Sequence, residues 1–412
     1  MTRKMKDSCV EWIGEIPADW VLSTIGAHYK QRNEKVSDLD FAPLSVTKNG
    51  VVPQLDSAAK SSNHNDRKLV RKNDFVINSR SDRKMSCGIA DEDGSVSLIN
   101  IVLYSGSISK EYTKYLLKNY SFAEEFYRWG TGIVADLWST KWDRMKKIAI
   151  PVPTLEEQNK IVSTLDELTE KMDSIILDTK QSIEELKKYK QSLITEAVTK
   201  GLDKNVEMKD SGVEWLGRTP KHWAILRTKN ILNERVEKSI TGIEEPLSMS
   251  QKFGLIPSKD MESIPYAPAS YIGNKKVSVK DLVFNKLKAH LGVFAVSKYE
   301  GIVSPDYAVY QANEICDVKY LEYLFKTPQA ISEFIKYSRG VGAGLTRLYT
   351  HEFFNIKIAL PSVEEQQEIV KYLNSKSTAI NNLISEKEKI IEELEQYKKS
   401  LIYEYVTGKK EV

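Results

Sequence analysis

The sequence predicts a mixed α/β chain of the α+β kind: two strand-rich domains in tandem, each followed by one long helix. The two helices are expected to pack as an antiparallel coiled coil with pseudo-twofold symmetry. Three observations carry this. The chain repeats itself, short apolar runs are bounded by turn residues, and two stretches free of Pro and Gly carry a heptad pattern. The expected boundaries are 1–153 and 205–361 for the domains, and 154–204 and 362–412 for the helices.

The repeat comes first, because a missed repeat misassigns the whole fold. MKDSCVEWIGEIPADW from Met5 and MKDSGVEWLGRTPKHW from Met208 agree at 10 of 16 positions. IEELKKYKQSLITEAVT from Ile183 and IEELEQYKKSLIYEYVT from Ile391 agree at 12 of 17. Between these blocks the landmarks keep their order. Pro43-Leu44-Ser45 matches Pro246-Leu247-Ser248, Asp74 and Asn78 match Asp281 and Asn285, and Gly94 and Ser97 match Gly301 and Ser304. Further on, Gly130 and Gly132 match Gly340 and Gly342, and Pro151 matches Pro361. Each half is therefore one unit of ordinary domain size. The halves agree at their ends and differ in the middle, as expected of one scaffold carrying two different reading surfaces.

Within a half, runs such as Asp74–Asn78 and Asp281–Asn285 read as strands. A short helix is expected over Glu111–Arg128, with a counterpart over Lys319–Arg339. Thr154 with Glu157, and Ser362 with Glu365, have capping-box spacing at the start of each long helix. Glu156 and Glu157 suit the positive end of the helix dipole. No Pro or Gly then occurs before Gly201, a natural stop. Leu165, Leu168, Met172, Ile175, Thr179, Ser182, Leu186, Tyr189 and Leu193 step by threes and fours, as a heptad seam does. Leu373, Ile380, Leu383, Leu394, Tyr397 and Leu401 form the second seam, and both weaken at midpoint, at Thr179, Ser182 and Lys387. A helix of about 45 residues spans roughly 68 Å. An intramolecular antiparallel pair is the simplest arrangement; a seam for a partner chain, or two separate core helices, would show the same spacing. Such a pair would act as a ruler, useful against a rigid periodic target such as duplex DNA.

Composition bounds the function. The chain has 412 residues, 41% hydrophobic and 28% charged, with net charge +3, which neither demands nor excludes nucleic acid. Cys9, Cys87 and Cys316 form no CxxC pair and fit a reducing cytosol, so a cytoplasmic location is expected. No apolar signal core or membrane-length stretch is present.

These motifs resemble the specificity subunits of type I restriction-modification systems. The resemblance rests on the repeated KDSGVEW opening, the Gly-x-Gly before a Pro-bounded strand, the P…EEQ…IV helix start and the Y-K-x-S-L-I-x-E-x-V-T helix end. It implies that 1–153 and 205–361 are target recognition domains, each reading one half of a bipartite, asymmetric site in double-stranded DNA. It also implies that the helices set the spacer and dock adenine-N6 methyltransferase subunits, two being expected, with a restriction and translocase subunit joining the full complex. No cofactor is expected on this chain; S-adenosylmethionine, ATP and Mg2+ are expected on the partners.

Phosphates call for cations and base edges for forked or amide side chains. Lys60, Arg67, Lys68, Arg71, Lys72, Arg80, Arg83 and Lys84 crowd the first half, and Lys275, Lys276, Lys280, Lys286, Lys288 and Lys298 the second. The expected DNA contacts are Asn78, Ser79, Arg80, Arg83 and Lys84, and in the second half Asn285, Lys286, Lys288 and His290. A second matching pair comprises Lys48 and Asn49, with Gln251 and Lys252; a plain hairpin turn would give the same pattern. Gly130-Thr131-Gly132 and Gly340-Val341-Gly342 could bring backbone close to a phosphate. Tyr189, Leu193, Tyr397 and Leu401, in the closely repeated helix ends, are the expected docking residues. Cations outweigh aromatics, favouring duplex over single strands.

Catalytic motifs are each incomplete. There is no Gly-rich cofactor loop with an Asn/Asp-Pro-Pro-Tyr segment. Gly212–Thr219 has Walker A glycine spacing, but Arg218 replaces the Lys. Asp306, Asp317 and Lys319 could form a nuclease-type metal set, the alternative reading, but the first half lacks them. The five histidines lack metal-ligand spacing, so no catalytic or metal residue is expected. A non-reading adaptor is the remaining alternative. Lengthening the helices by a few residues is expected to change the spacer between half-sites and leave the half-sites themselves unaltered, as sequencing of modified bases would show.

Overall fold

A computed structural model describes residues 3–56, 64–132, 138–250, 253–263, 268, 270–342 and 345–412. The long helices span Leu155–Lys200 and Val363–Val406, and every strand pairing outside two isolated parallel bridges is antiparallel. The chain divides into two compact units, 1–180 with 388–412, and 181–387. Each long helix thus gives its first half to one unit and its second half to the other.

In the first unit a four-stranded sheet runs in the order Cys87–Ile89, Phe75–Asn78, Asn100–Ser105, Tyr29–Arg32. In the second unit the matching strands are Phe294–Val296, Leu282–Asn285, Tyr307–Ala312 and Leu232–Glu234, in the same order. The central strands Phe75–Asn78 and Leu282–Asn285 are buried on both faces. Successive side chains on a strand point to opposite sides, so Phe75, Ile77, Ile101 and Leu103 enter the large core against the helices. Val76 and Val102 enter a smaller core with Leu44, Val70 and Val96. The second unit repeats the split, with Leu282 and Phe284 on one side and Val283 on the other.

The Pro-Leu-Ser and Gly landmarks have one cause. Residues 42–44 cross directly over Gly94, where a Cβ would lie 2.7 Å from Leu44. Residues 245–247 cross Gly301, where a Cβ would lie 2.3 Å from a backbone oxygen. Parallel bridges Pro43–Ser95 and Pro246–Ile302 mark both crossings.

The expected short helices are each two. The first divides into Lys110–Leu116 and Tyr120–Arg128, because Asn119 caps the second piece by accepting from Phe122 N. The other divides into Val318–Phe325 and Pro328–Tyr337, with Thr327 as cap and Pro328 at the first position, and Arg339 belongs to a strand. A new cap within the apolar pattern restarts the helix without breaking its amphipathic spacing.

Thr154 and Ser362 cap the long helices as expected, accepting from Glu157 N at 3.3 Å and Glu365 N at 3.2 Å. The glutamate carboxylates, however, do not close a capping box. Glu157 accepts the Trp20 indole N–H at 2.8 Å, and Glu365 that of Trp223 at 3.0 Å. Arg3 also pairs with Glu157. The next residue completes the clamp. Buried Gln158 accepts from Ser109 N and donates to Pro153 O; buried Gln366 accepts from Asp317 N and donates to Ile315 O and Pro361 O.

The helix ends close the units from the other side. Tyr112 Oη donates to Val406 O and Tyr320 Oη to Val198 O. In each unit one long helix begins where the other ends, so the two run antiparallel there. Lys398 bonds Asp173 at 2.6 Å in the first unit, and Lys190 bonds Asn381 at 2.8 Å in the second.

The seam lies one residue off the expected phase at alternate steps. Leu165, Thr169, Met172, Ile176, Ile183 and Leu193 are buried, while Ile175 and Tyr189 are exposed. On the second helix Leu373, Ile380 and Leu401 are buried, while Leu383 and Tyr397 are exposed. From Leu165, a three-then-four step meets Leu168, Met172 and Ile175 and a four-then-three step meets Thr169, Met172 and Ile176, and the packed neighbour selects the second. The observed phase puts Ile183 rather than Ser182 on the seam.

Gln366→Leu strips partners from three backbone groups by replacing the amide with an apolar side chain of similar size. It is expected to cost about 2–4 kcal/mol, read as a lower urea midpoint.

Candidate nucleic-acid interface

Each unit presents a loop after the central strand and a neighbouring hairpin. In the first unit Asn78 ends the strand, and its Oδ1 accepts Arg80 N at 3.0 Å. In the second, Asn285 Oδ1 accepts Leu287 N at 2.9 Å. Both asparagines therefore shape the turn that launches the loop. Tyr127 Oη donates to Asn78 O and Arg83 O, drawing the first loop's ends together. Thr140 N donates to Ser79 O, and Ser81 N to Trp138 O, so a second segment braces it.

On this loop Ser79 is buried, while Arg83 and Lys84 are exposed. Asp82 lies between Arg80, at 3.2 Å, and Arg83, at 3.5 Å, and Lys84 pairs with Glu124 at 2.9 Å. Such exposed pairs are worth little and can be exchanged for phosphates. Lys48 and Asn49 form the tip of the hairpin Leu44–Thr47 with Gly50–Pro53, both exposed. Gly50 approaches Gly88 so closely that a Cβ on Gly88 would lie 2.9 Å away, which holds the hairpin over the strand beside the Asn78 loop.

In the second unit Lys288 is exposed and lines a cavity of about 550 Å3 with Ser248, Asn274, Ser304 and Tyr307. Lys286 corrects the expectation of a surface contact. It turns inward, 3.6 Å from Glu234 and beside Lys275, and burial together with Lys275 lowers its pKa. His290 belongs to the short helix Lys286–Leu291; its side chain lies outside the described residues. Gln251 and Lys252 lie outside them as well.

Several expected cations serve the scaffold. Arg67 is buried on Ser95, Lys68 on Asn100 O, and Lys275 on Glu234. Lys60 lies outside the described residues. Gly130 makes room for Trp138 rather than for a phosphate, since a Cβ there would lie 2.3 Å from the indole nitrogen. Leu193 and Leu401 are buried in the units' own cores, which corrects their reading as docking residues; Tyr189 and Tyr397 remain exposed. The helix ends match where they pack into their own units, as Leu193 and Leu401 do in the cores and as Val198 O and Val406 O do in accepting from Tyr320 and Tyr112. The nuclease-type set is dispersed. Asp306 pairs with Arg347, Asp317 caps a helix through Lys319 N, and Lys319 pairs with Glu322.

Sequence reasoning missed Arg32 and Arg235. Each makes a two-point bond to the landmark aspartate, Arg32 to Asp74 at 2.6 and 3.1 Å and Arg235 to Asp281 at 2.7 and 3.3 Å. The aspartates also accept Arg71 N and Ser278 N, so each fixes the turn before the central strand. The aspartate bond holds each guanidinium more firmly charged. The arginines share an offset of 203 and could have been paired with the other landmarks. Arg347 and Tyr349, beside the second loop, were also missed; Leu348 N donates to Lys286 O.

Residues 45–186 and 243–396 match the type I restriction modification DNA specificity domain. The chain is 25% identical over 428 residues to the putative type I restriction enzyme MjaX specificity subunit of Methanocaldococcus jannaschii, covering 96% of this chain and 95% of that one. It is 27% identical over 282 residues to the MjaVIII specificity subunit of the same organism, covering 64% of this chain and 62% of that one. Among solved structures, a chain from work on complex assembly and conformational transition of the type I R-M system superposes with TM-score 0.71 at 14% identity, covering 95% of this chain and 98% of that one. The HsdS subunit from Thermoanaerobacter tengcongensis superposes with TM-score 0.56 at 15% identity, over 96% and 98%. These two likenesses concern the fold.

Arg32→Ala leaves the buried Asp74 carboxylate without its cation and is expected to cost about 3 kcal/mol. In urea unfolding, adding Asp74→Asn to Arg32→Ala should recover part of that loss.

Proposed function

The chain belongs to the type I restriction modification DNA specificity family, and on that premise we propose how it divides a DNA site between its halves. Each recognition domain reads one half-site of a bipartite, asymmetric duplex sequence through its post-strand loop and hairpin. One observation carries this reading. The two units share strand order, the Arg–Asp bond, the Trp–Glu bond and the glutamine clamp, yet place unlike side chains on the loop that follows the same asparagine. Arg80, Arg83 and Lys84 stand there in one, and Leu287, Lys288 and Ala289 in the other. A shared scaffold with unlike loops fits two different base sequences.

In the first unit Arg83 and Lys48 supply phosphate or base contacts, with Asn49 at the hairpin tip. In the second, Lys288 does so with the polar wall of its cavity. The antiparallel helices set the spacer, and the exposed Tyr189 and Tyr397 mark where two adenine-N6 methyltransferase subunits dock. A restriction subunit joins the same assembly. S-adenosylmethionine, ATP and Mg2+ act on those partners, and this chain contributes recognition rather than chemistry.

Exchanging residues 21–147 for another recognition domain should change one half of the methylated sequence and leave the other half and the spacer intact. Sequencing modified bases in cells carrying the chain and its methyltransferase partner decides this. A change in both halves rules out one domain per half-site, and methylation indifferent to deletion of this chain rules out its role in specificity.

A further inference from the structure

A groove of about 740 Å3 runs in the first unit between the recognition domain and the long helices. Lys48, Lys84 and Lys118 line it from the domain, and Lys180, Lys398 and Lys399 from the helices. Two carboxylates, Asp173 and Glu395, share the lining. Asp173 is engaged by Lys398, and Lys84 is held by Glu124 outside the groove. Lys48, Lys118, Lys180 and Lys399 have no carboxylate within ion-pair distance among the described residues.

We propose that this groove is a sequence-independent contact for duplex DNA, a lysine track for backbone phosphates beside the half-site that the first domain reads. It rests on the specificity reading above and extends it from the loops to the helices.

Three observations support phosphate as the occupant. First, the groove begins at the reading loops, since Lys48 and Lys84 belong to both. Second, the unpaired cations are all lysines, flexible point charges that suit phosphate oxygens and carry no base code, and they outnumber the lining carboxylate Glu395. Burial, and then repulsion from Lys114 and Lys398, lowers the pKa of Lys118. An external polyanion relieves that crowding. Third, the track is one-sided. The Lys118 and Lys398 positions recur as Lys326 and Lys190, but Glu388 stands where Lys180 does and Gln191 where Lys399 does. Scaffold packing, or a partner bound alike by both halves, would favour the same residues in both.

The test uses the full chain in complex with its methyltransferase subunits, carrying Lys180→Gln with Lys399→Gln. Both side chains are exposed, so the unfolding midpoint should hold. Binding is measured against salt on one duplex containing the methylated sequence and one lacking it. The expected result is about tenfold weaker binding to both duplexes at low salt, and a log–log salt slope shallower by about two. The ratio between duplexes and the methylated sequence stay unchanged, and Lys180→Arg with Lys399→Arg binds as the parent does. Unchanged affinity and slope overturn the proposal. So does an unchanged slope with loss of methyltransferase co-purification, which assigns the groove to an acidic protein surface. A parent complex that prefers neither duplex overturns the specificity reading instead, while the lysine comparison on the unspecific duplex still stands.

Discussion

The start of each long helix is the constraint on which the rest of each unit depends. A helix N-terminus presents unpaired N–H groups and favours a carboxylate, and here the carboxylate is shared. Glu157 and Glu365 sit in that field and also receive an indole N–H from the opening motif. The adjoining glutamines reach the segment before the first short helix, at Ser109 and Asp317. One turn of helix thereby joins the opening, the middle and the long helix of a unit. Hydrogen bonds to charged groups contribute about 1.5–3 kcal/mol each, so the Trp–Glu bond is a substantial part of what holds the opening motif down.

The scaffold beyond that turn is built to keep the loops free to vary. The central sheet is covered on both faces, and its alternating side chains divide between two cores. The loops after Asn78 and Asn285 leave the sheet at its end; Met85 and Ala289 still pack on the cores, while Arg83, Lys84 and Lys288 are exposed. Their positions are set by backbone partners, such as Tyr127 on Asn78 O and Arg83 O, and by an asparagine turn common to both. Side chains on these loops can therefore differ between halves with little effect on folding.

The repeat, the strands around Asp74–Asn78 and Asp281–Asn285, the two long helices and their capping residues were legible, because each is read from residue identity and local spacing. For the candidate contacts, residue types were legible in the sequence and their exposure came from the structure. Lys48, Asn49, Arg83, Lys84 and Lys288 stand exposed as expected, but Lys286 turns inward and Arg67, Lys68 and Lys275 are buried. A charge tally cannot separate a lysine facing water from one facing Glu234, since that partner lies some fifty residues away. Leu193 and Leu401 failed as docking residues for a related reason: close repetition reports a shared constraint without saying whether that constraint is a partner or a core.

By itself the sequence determined that one structural plan occurs twice, with agreeing ends and unlike middles, and that each copy closes in a long amphipathic helix. These follow from residue identity and local spacing. Tertiary structure alone decided which face of each helix is buried, because Ile175 and Ile176 fit the heptad equally well until a packed surface excludes one. It also decided that each compact unit combines the start of one long helix with the end of the other. Local periodicity carries no information on which distant segment supplies the second wall of a core. Val406 on Tyr112 and Val198 on Tyr320 are contacts across 294 and 122 residues, and only the folded chain brings them together.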